Sequence, residues 1–218
     1  MSTILCIETA TTNCSVAIGV DGKLLSLKED NSKQFSHAEK LHLSIVDLIQ
    51  ENNLKLQDLD AIAISKGPGS YTGLRIGVSA AKGLCFSLDI PLISVPTLTS
   101  LALQVKEKGI VFSMLDARRM EVYSAGFDLK MKQIRETKAQ ILEETSFSEY
   151  LQQGPVYFIG TGVEKFQDIC SHYNARFVES RLPSAKEMIG IANEKFKAGD
   201  LENVAYFEPY YLKDFMAG

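Results

Sequence analysis

Glu8, Thr9, Thr11 and Thr12 crowd one short turn between two apolar runs, Ile4–Ile7 and Ser15–Val20. A carboxylate among hydroxyls at a strand end suits a hairpin that contacts phosphate. The turn lacks the glycine that lets backbone amides approach an anion closely, so an ordinary polar turn is the competing reading. Gly67-Pro68-Gly69-Ser70 precedes a helical pattern. Its glycines admit backbone angles closed to other residues, and Pro68 presets φ. Ser70 or Thr72 can cap the helix that follows. Such a turn either holds a phosphate at the helix N-terminus or serves as a cap and close-packing device. Its spacing matches neither GxxxxGK[ST] nor GxGxxG. Gly160-Thr161-Gly162, between a strand and a helix, reads as a strand-to-helix turn or the remnant of an adenosine loop.

Other candidates carry less. His37 and His42 lie about 140° apart at about 100° per residue, so they share no helix face for a metal and read as surface or capping residues. Asp116-Ala117-Arg118-Arg119 is a charged turn, self-paired or open to a partner. Cys6, Cys14, Cys85 and Cys170 show neither CxxC nor zinc spacing and read as reduced, mostly buried thiols. No GxSxG, HExxH or SxxK is present.

These groups need a scaffold, and the 218 residues permit one large domain or two lobes. With 45% hydrophobic and 23% charged residues, the chain can build a substantial core. Its formal net charge of -4 argues against tight RNA binding by the chain alone, because phosphate contacts dominate such affinity. The opening MSTILCIETATTN does not read as a signal peptide, and no apolar window is long enough to suggest a membrane span.

The chain opens with a strand meander, Ile4–Ile7, Ser15–Val20 and Leu24–Leu27, turned at Asp21-Gly22. Ser36 is a plausible N-cap for a helix over Ala38–Glu51. Strands over Asp60–Ser65 and Ile90–Val95 flank a helix from about Thr72 to Leu88. A second half begins near Gly109, with strands to Leu115, from Glu121 to Asp128 and over Val156–Ile159, and helices over Ser146–Gln152 and Ser184–Lys197. The expected organisation is an N-terminal lobe over 1–106, a C-terminal lobe over 107–207 and a tail, 208–218, packing back on the first. The fold class this suits is two-lobed α/β of the actin, Hsp70 and sugar-kinase (ASKHA) kind, with mixed sheets flanked by helices.

Two helices carry more apolar surface than one core face requires. In the first, Leu41, Ile45, Leu48 and Ile49 form a stripe. Leu43 and Val46 lie outside it and widen the apolar arc to roughly 220° at about 100° per residue. In the second, Gly73, Gly77, Ala80, Ala81 and Leu84 share a face, with Leu74 and Val78 beside them. Glycine inside a helix costs about 1 kcal/mol relative to alanine, so Gly73 and Gly77 imply close approach of another backbone. These residues read as a helix surface for a second subunit or as the interior of one large lobe.

The stretch Lys66-Gly-Pro-Gly-Ser-Tyr-Thr-Gly-Leu-Arg-Ile-Gly-Val-Ser-Ala-Ala-Lys-Gly-Leu84 resembles the signature of the TsaB (YeaZ) family, with Gly67, Pro68, Gly69, Ser70, Tyr71, Thr72 and Arg75 in its loop and first turn. Ile7–Thr11, Asp116–Tyr123 and Pro209–Lys213 resemble three further family segments, in family order. The resemblance implies an ASKHA fold. It also implies a cytoplasmic, non-catalytic partner of the paralogue TsaD, which transfers threonylcarbamoyl to adenosine 37 of ANN-decoding tRNAs (t6A synthesis). It further implies an ATPase partner, TsaE, and tRNA met only through the complex. Docking on TsaD, or homodimerisation without it, is implied for the two helices. The interface residues are then Leu41, Leu43, Ile45, Val46, Ile49, Gly73, Leu74, Gly77, Val78 and Ala81. The metal-binding HxxxH of TsaD is absent, since Leu41 stands where the second histidine, on the same helix face as His37, is needed. No cofactor is expected to bind this subunit tightly. ATP or ADP is an option at the complex junction, and nucleotide contact at Glu8, Thr9, Thr11, Gly160 and Gly162 is the weaker alternative. Competing functions are a stand-alone ASKHA phosphotransferase and a peptidase using Ser70.

Overall fold

A computed structural model describes residues 1–31, 37–179 and 181–213. The expected Ser36 cap lies outside them. The chain forms two compact units, Met1–Thr97 with Pro183–Gly218, and Leu98–Leu182.

The first unit holds β1 (Thr3–Glu8), β2 (Cys14–Val20), β3 (Lys23–Asp30), α1 (His37–Glu51), β4 (Ala61–Ser65), α2 (Tyr71–Leu88) and β5 (Leu92–Val95). Its sheet runs β3-β2-β1-β4-β5. The first three strands are antiparallel, and β4 and β5 are parallel to β1. Asp21 and Gly22, with φ of 49° and 79°, make the expected tight hairpin. Alternate side chains fill two cores. Leu5, Ile7, Val16, Ile62 and Ile64 pack with α1 and α2, while Ile4, Cys6, Ala17, Ala63 and Ile93 pack on the other face.

That second face is closed by α6 (Ala185–Ala198), capped by Ser184, whose hydroxyl accepts from Lys186 N. The expected 107–207 lobe is corrected here, because Ala185, Met188, Ile189 and Ala192 cover the first sheet. Among the described residues, α6 supplies the helical layer that this face needs. Residues 98–106 likewise belong to the second unit. In the tail, Tyr210 N donates to Lys66 O at 2.7 Å, and Lys82 Nζ donates to the Ala205 and Phe207 carbonyls.

The helix α3 (Thr97–Ala102) starts at Thr97 of the first unit and otherwise belongs to the second. The second unit holds β6 (Ile110–Asp116), β7 (Glu121–Phe127), β8 (Gln133–Ile141), α4 (Ser148–Leu151), β9 (Val156–Ile159), α5 (Val163–Gln167) and β10 (Ala175–Val178). Its sheet order, β8-β7-β6-β9-β10, repeats that of the first, with the same alternation of antiparallel and parallel pairs. Two copies of one mixed sheet make the expected two-unit ASKHA class. Phe112, Phe147, Phe158 and Phe166 form its aromatic core. No helix among the described residues is long and apolar enough to cross a membrane.

Candidate functional site: the Thr-rich turn and the two outer helices

The turn from Glu8 to Asn13 is held from three sides. Thr9 Oγ1 donates to Gly73 O at 2.8 Å, and Ser70 N donates to Ala10 O at 2.7 Å. Both bonds tie the turn to the start of α2. His37 Nε2 lies 2.7 Å from Thr11 O, which joins the turn to the start of α1. Asn13 Nδ2 donates to Glu29 Oε1 and to Pro183 O, and Ser15 Oγ accepts from Ala185 N, which fixes α6. His37 is therefore a buried tie, where the sequence reading gave a surface or capping residue.

Glu8 and Thr9 are fully buried. Glu8 Oε1 accepts from Ala10 N at 2.6 Å. Glu8 Oε2 is buried with no hydrogen-bond partner among the described residues. Burial pushes the Glu8 carboxyl up to about 7, and bonding from the Ala10 amide, the Ser65 hydroxyl and the Thr9 amide offsets only part of this. This environment corrects the expected nucleotide contact at Glu8 and Thr9, whereas Thr11 is half-buried. The first two side chains face protein, and the Thr11 carbonyl is engaged by His37. Gly160 and Gly162 lie in the other unit and are buried there. Gly160, at φ 115°, abuts the Met114 carbonyl, and a Cβ on Gly162 would run into Val122. Both serve close packing on β6 and β7.

The signature loop leads into α2. Gly67 has φ 105° and the Gly67–Pro68 peptide is cis. Thr97 Oγ1 accepts from Gly67 N and lies 2.6 Å from Ser65 Oγ. A Cβ on Gly69 would sit 2.6 Å from that of Ala10. Ser70 Oγ accepts from Gly73 N at 3.2 Å, so this hydroxyl caps the helix. Arg75 lies over the Tyr71 ring at 5.0 Å, and Tyr71 pairs with Tyr211 at 4.8 Å between centroids. Thr72 is exposed.

The ten residues expected at a partner interface divide sharply. Leu41, Ile45 and Ile49 of α1, and Gly73, Leu74, Gly77, Val78 and Ala81 of α2, are buried within the unit's own core. The backbone that Gly73 and Gly77 admit is that of the Thr9 turn. A Cβ on Gly73 would overlap Thr9 O, and one on Gly77 would overlap Thr9 Oγ1 and lie 3.0 Å from Ile64 Cδ1. This corrects the reading of a second subunit packed on those glycines. Leu43 and Val46 are different, at 64% and 47% exposed. Phe86 of α2, 85% exposed, was missed. It falls on the helix face of Arg75, Ser79 and Lys82 at about 100° per residue, and an aromatic on that polar face was the available signal.

The comparisons bear on the whole chain. The family model TsaD, tRNA N6-adenosine threonylcarbamoyltransferase, matches residues 31–217. The tRNA threonylcarbamoyladenosine biosynthesis protein TsaB of Escherichia coli K12 is 34% identical over 98% of this chain and 96% of its own length. The chain belongs to the TsaB (YeaZ) family. The Haemophilus influenzae TsaB is 29% identical over 97% of this chain and 94% of its own. The solved YeaZ structure from Pseudomonas aeruginosa covers 97% of this chain and all of that one, with TM-score 0.82 and 28% identity. A second Pseudomonas aeruginosa structure, described as an uncharacterized protein with similarity to peptidase YEAZ, gives TM-score 0.85, 28% identity and 98% and 100% coverage. In this TsaB-family chain the hydroxyl that a peptidase reading would use, that of Ser70, is a helix cap.

Proposed function

We propose that this chain binds and activates TsaD for threonylcarbamoyl transfer to adenosine 37 of ANN-decoding tRNAs, without turning over substrate itself. The observation that carries the reading is the exposure of Leu43 and Val46 on a helix whose other large apolar side chains are core. With Phe86 on the adjoining α2, they leave large apolar groups in water on two packed helices, the composition of an interface centre. The near full-length match to proteins named for t6A biosynthesis supplies the pathway. In the same reading TsaE joins the pair, tRNA is met through the complex, and two copies pair through these helices when TsaD is absent. Any ATP or ADP then lies at the junction, with none held tightly by this subunit, and the setting is the cytoplasm.

The double substitution Leu43→Glu with Val46→Glu is expected to leave the chain folded and to weaken TsaD binding by about a hundredfold, the scale of two lost interface anchors. Titration calorimetry with purified TsaD measures this, and circular dichroism checks the fold. A host depleted of the protein is expected to lose t6A from total tRNA and to regain it with wild type but not with this variant. Undiminished TsaD affinity would remove the helix face from the contact.

A further inference from the structure

Glu8 sits fully buried at the end of β1, beside the start of α2. Its Oε1 is fixed by Ala10 N, and the carbonyl of that same Ala10 accepts from Ser70 N, the N-cap of α2. The residue between them, Thr9, holds Gly73 O. Only two residues of chain therefore separate a buried carboxyl from both bonds that root the first turn of α2. Oε2 is enclosed without a partner, so the neutral acid, with its proton on Oε2, is the form that suits the site. A charge there has no counter-ion within salt-bridge distance among the described residues. Its least costly response is to let water in, by opening the turn.

We propose that Glu8 is a proton-held lock, positioning α2 when neutral and loosening the helix start on ionisation, so that the outward surface of α2 is coupled to pH. The TsaD coupling rests on the docking reading above, whereas the lock itself does not. Burial places the ionisation near neutrality, where a modest change in pH moves the population of the two forms. Other titratable and charged groups near the turn are Cys6 on the same strand face, Cys14 on β2, Glu29 and Asp30 on β3, His37 and Lys40 on α1, Lys66 after β4, and Lys186 and Glu187 at the start of α6. Burial holds Cys6 and Cys14 up to about 12 and about 11, outside the relevant range. Glu8→Gln retains every one of these groups, so any pH response it loses belongs to Glu8.

The test is amide hydrogen exchange at Gly73 and Leu74, corrected for intrinsic rates, at pH 6.0 and 8.5. Wild type is expected to lose about tenfold more protection than Glu8→Gln over that interval, while amides of β6 and β7 change equally in both. Equal pH dependence at Gly73 in the two proteins would overturn the lock. If Glu8→Gln does not fold, wild type labelled at the glutamate carboxyl carbons decides it. The Ser70 and Gly73 amide shifts must then titrate with the Glu8 midpoint, and a different midpoint overturns the proposal. TsaD affinity at the two pH values is the second arm. An affinity falling several-fold in wild type but not in Glu8→Gln extends the lock to the docking surface. A lock seen by exchange with pH-independent affinity overturns the coupling alone, and no TsaD binding at either pH overturns the docking reading while leaving the lock standing.

Discussion

Gly77→Leu is expected to abolish stable folding of the first unit, at a cost of about 3–5 kcal/mol, the range of severe overpacking combined with a broken buried bond. The helix at this point leaves room for hydrogen only. The new Cβ would overlap Thr9 Oγ1 in the turn after β1 and press on Ile64 Cδ1 of β4. To escape, Thr9 must release Gly73 O, and the turn that joins β1 to β2 must move with it. Gly83, in the same helix, has nothing within 4 Å of its added Cβ. Gly83→Ala is therefore expected to stabilise the chain by about 0.5–1 kcal/mol, the helix-propensity difference. Chemical denaturation of the two variants beside wild type measures both effects. A folded Gly77→Leu protein with unchanged midpoint would show that the α2–turn contact is loose.

The second large effect is the pH dependence of stability set by Glu8. Its folded value is raised from the ordinary carboxyl value of 4.5 to about 7 by burial. With a raised value, the unfolded chain loses its proton first as pH rises. The stability from the neutral acid is thus fully present below about 4.5 and is lost progressively up to about 7. Above that it is gone, a difference of about 3 kcal/mol at 1.36 kcal/mol per unit. Glu8→Gln removes the titration. Its stability relative to wild type is expected to improve by about 3 kcal/mol between pH 4.5 and pH 8, read as the difference between two denaturation series so that other groups cancel. Parallel curves for the two proteins would mean that Glu8 ionises in the folded state as it does in water. A chain whose α2 is rooted beside such a group carries a stability cost at neutral pH, and that cost makes the buried carboxyl a candidate for regulation.

Local pattern determined much of this protein. Apolar runs separated by Asp21-Gly22 and by Gly67-Pro68-Gly69 dictate strands, hairpin and helix start, because backbone preference acts within a few residues. The signature from Lys66 to Leu84 carried the family without any fold. Polar or short strands were not legible. The edge strand β8, QIRETKAQI, has mostly exposed or half-buried positions, and β10 is four residues long. Neither has an apolar run, and each exists because a neighbouring strand offers a ladder.

Only the tertiary structure decided which surplus apolar residues face water. Leu41 and Leu43 are alike in sequence, but one lies under the sheet and the other is exposed. The small-residue face of α2 implied a close backbone, and its owner turned out to be the Thr9 turn of the same chain. Periodicity measures how wide an apolar arc is, whereas the fold sets how much of that arc its own sheet covers. Likewise the sequence placed a carboxylate and hydroxyls in one turn, where solvent would make them a phosphate site. Burial made Glu8 a high-pKa acid and the start of α2 made Thr9 a structural tie, because desolvation depends on elements far away in the chain.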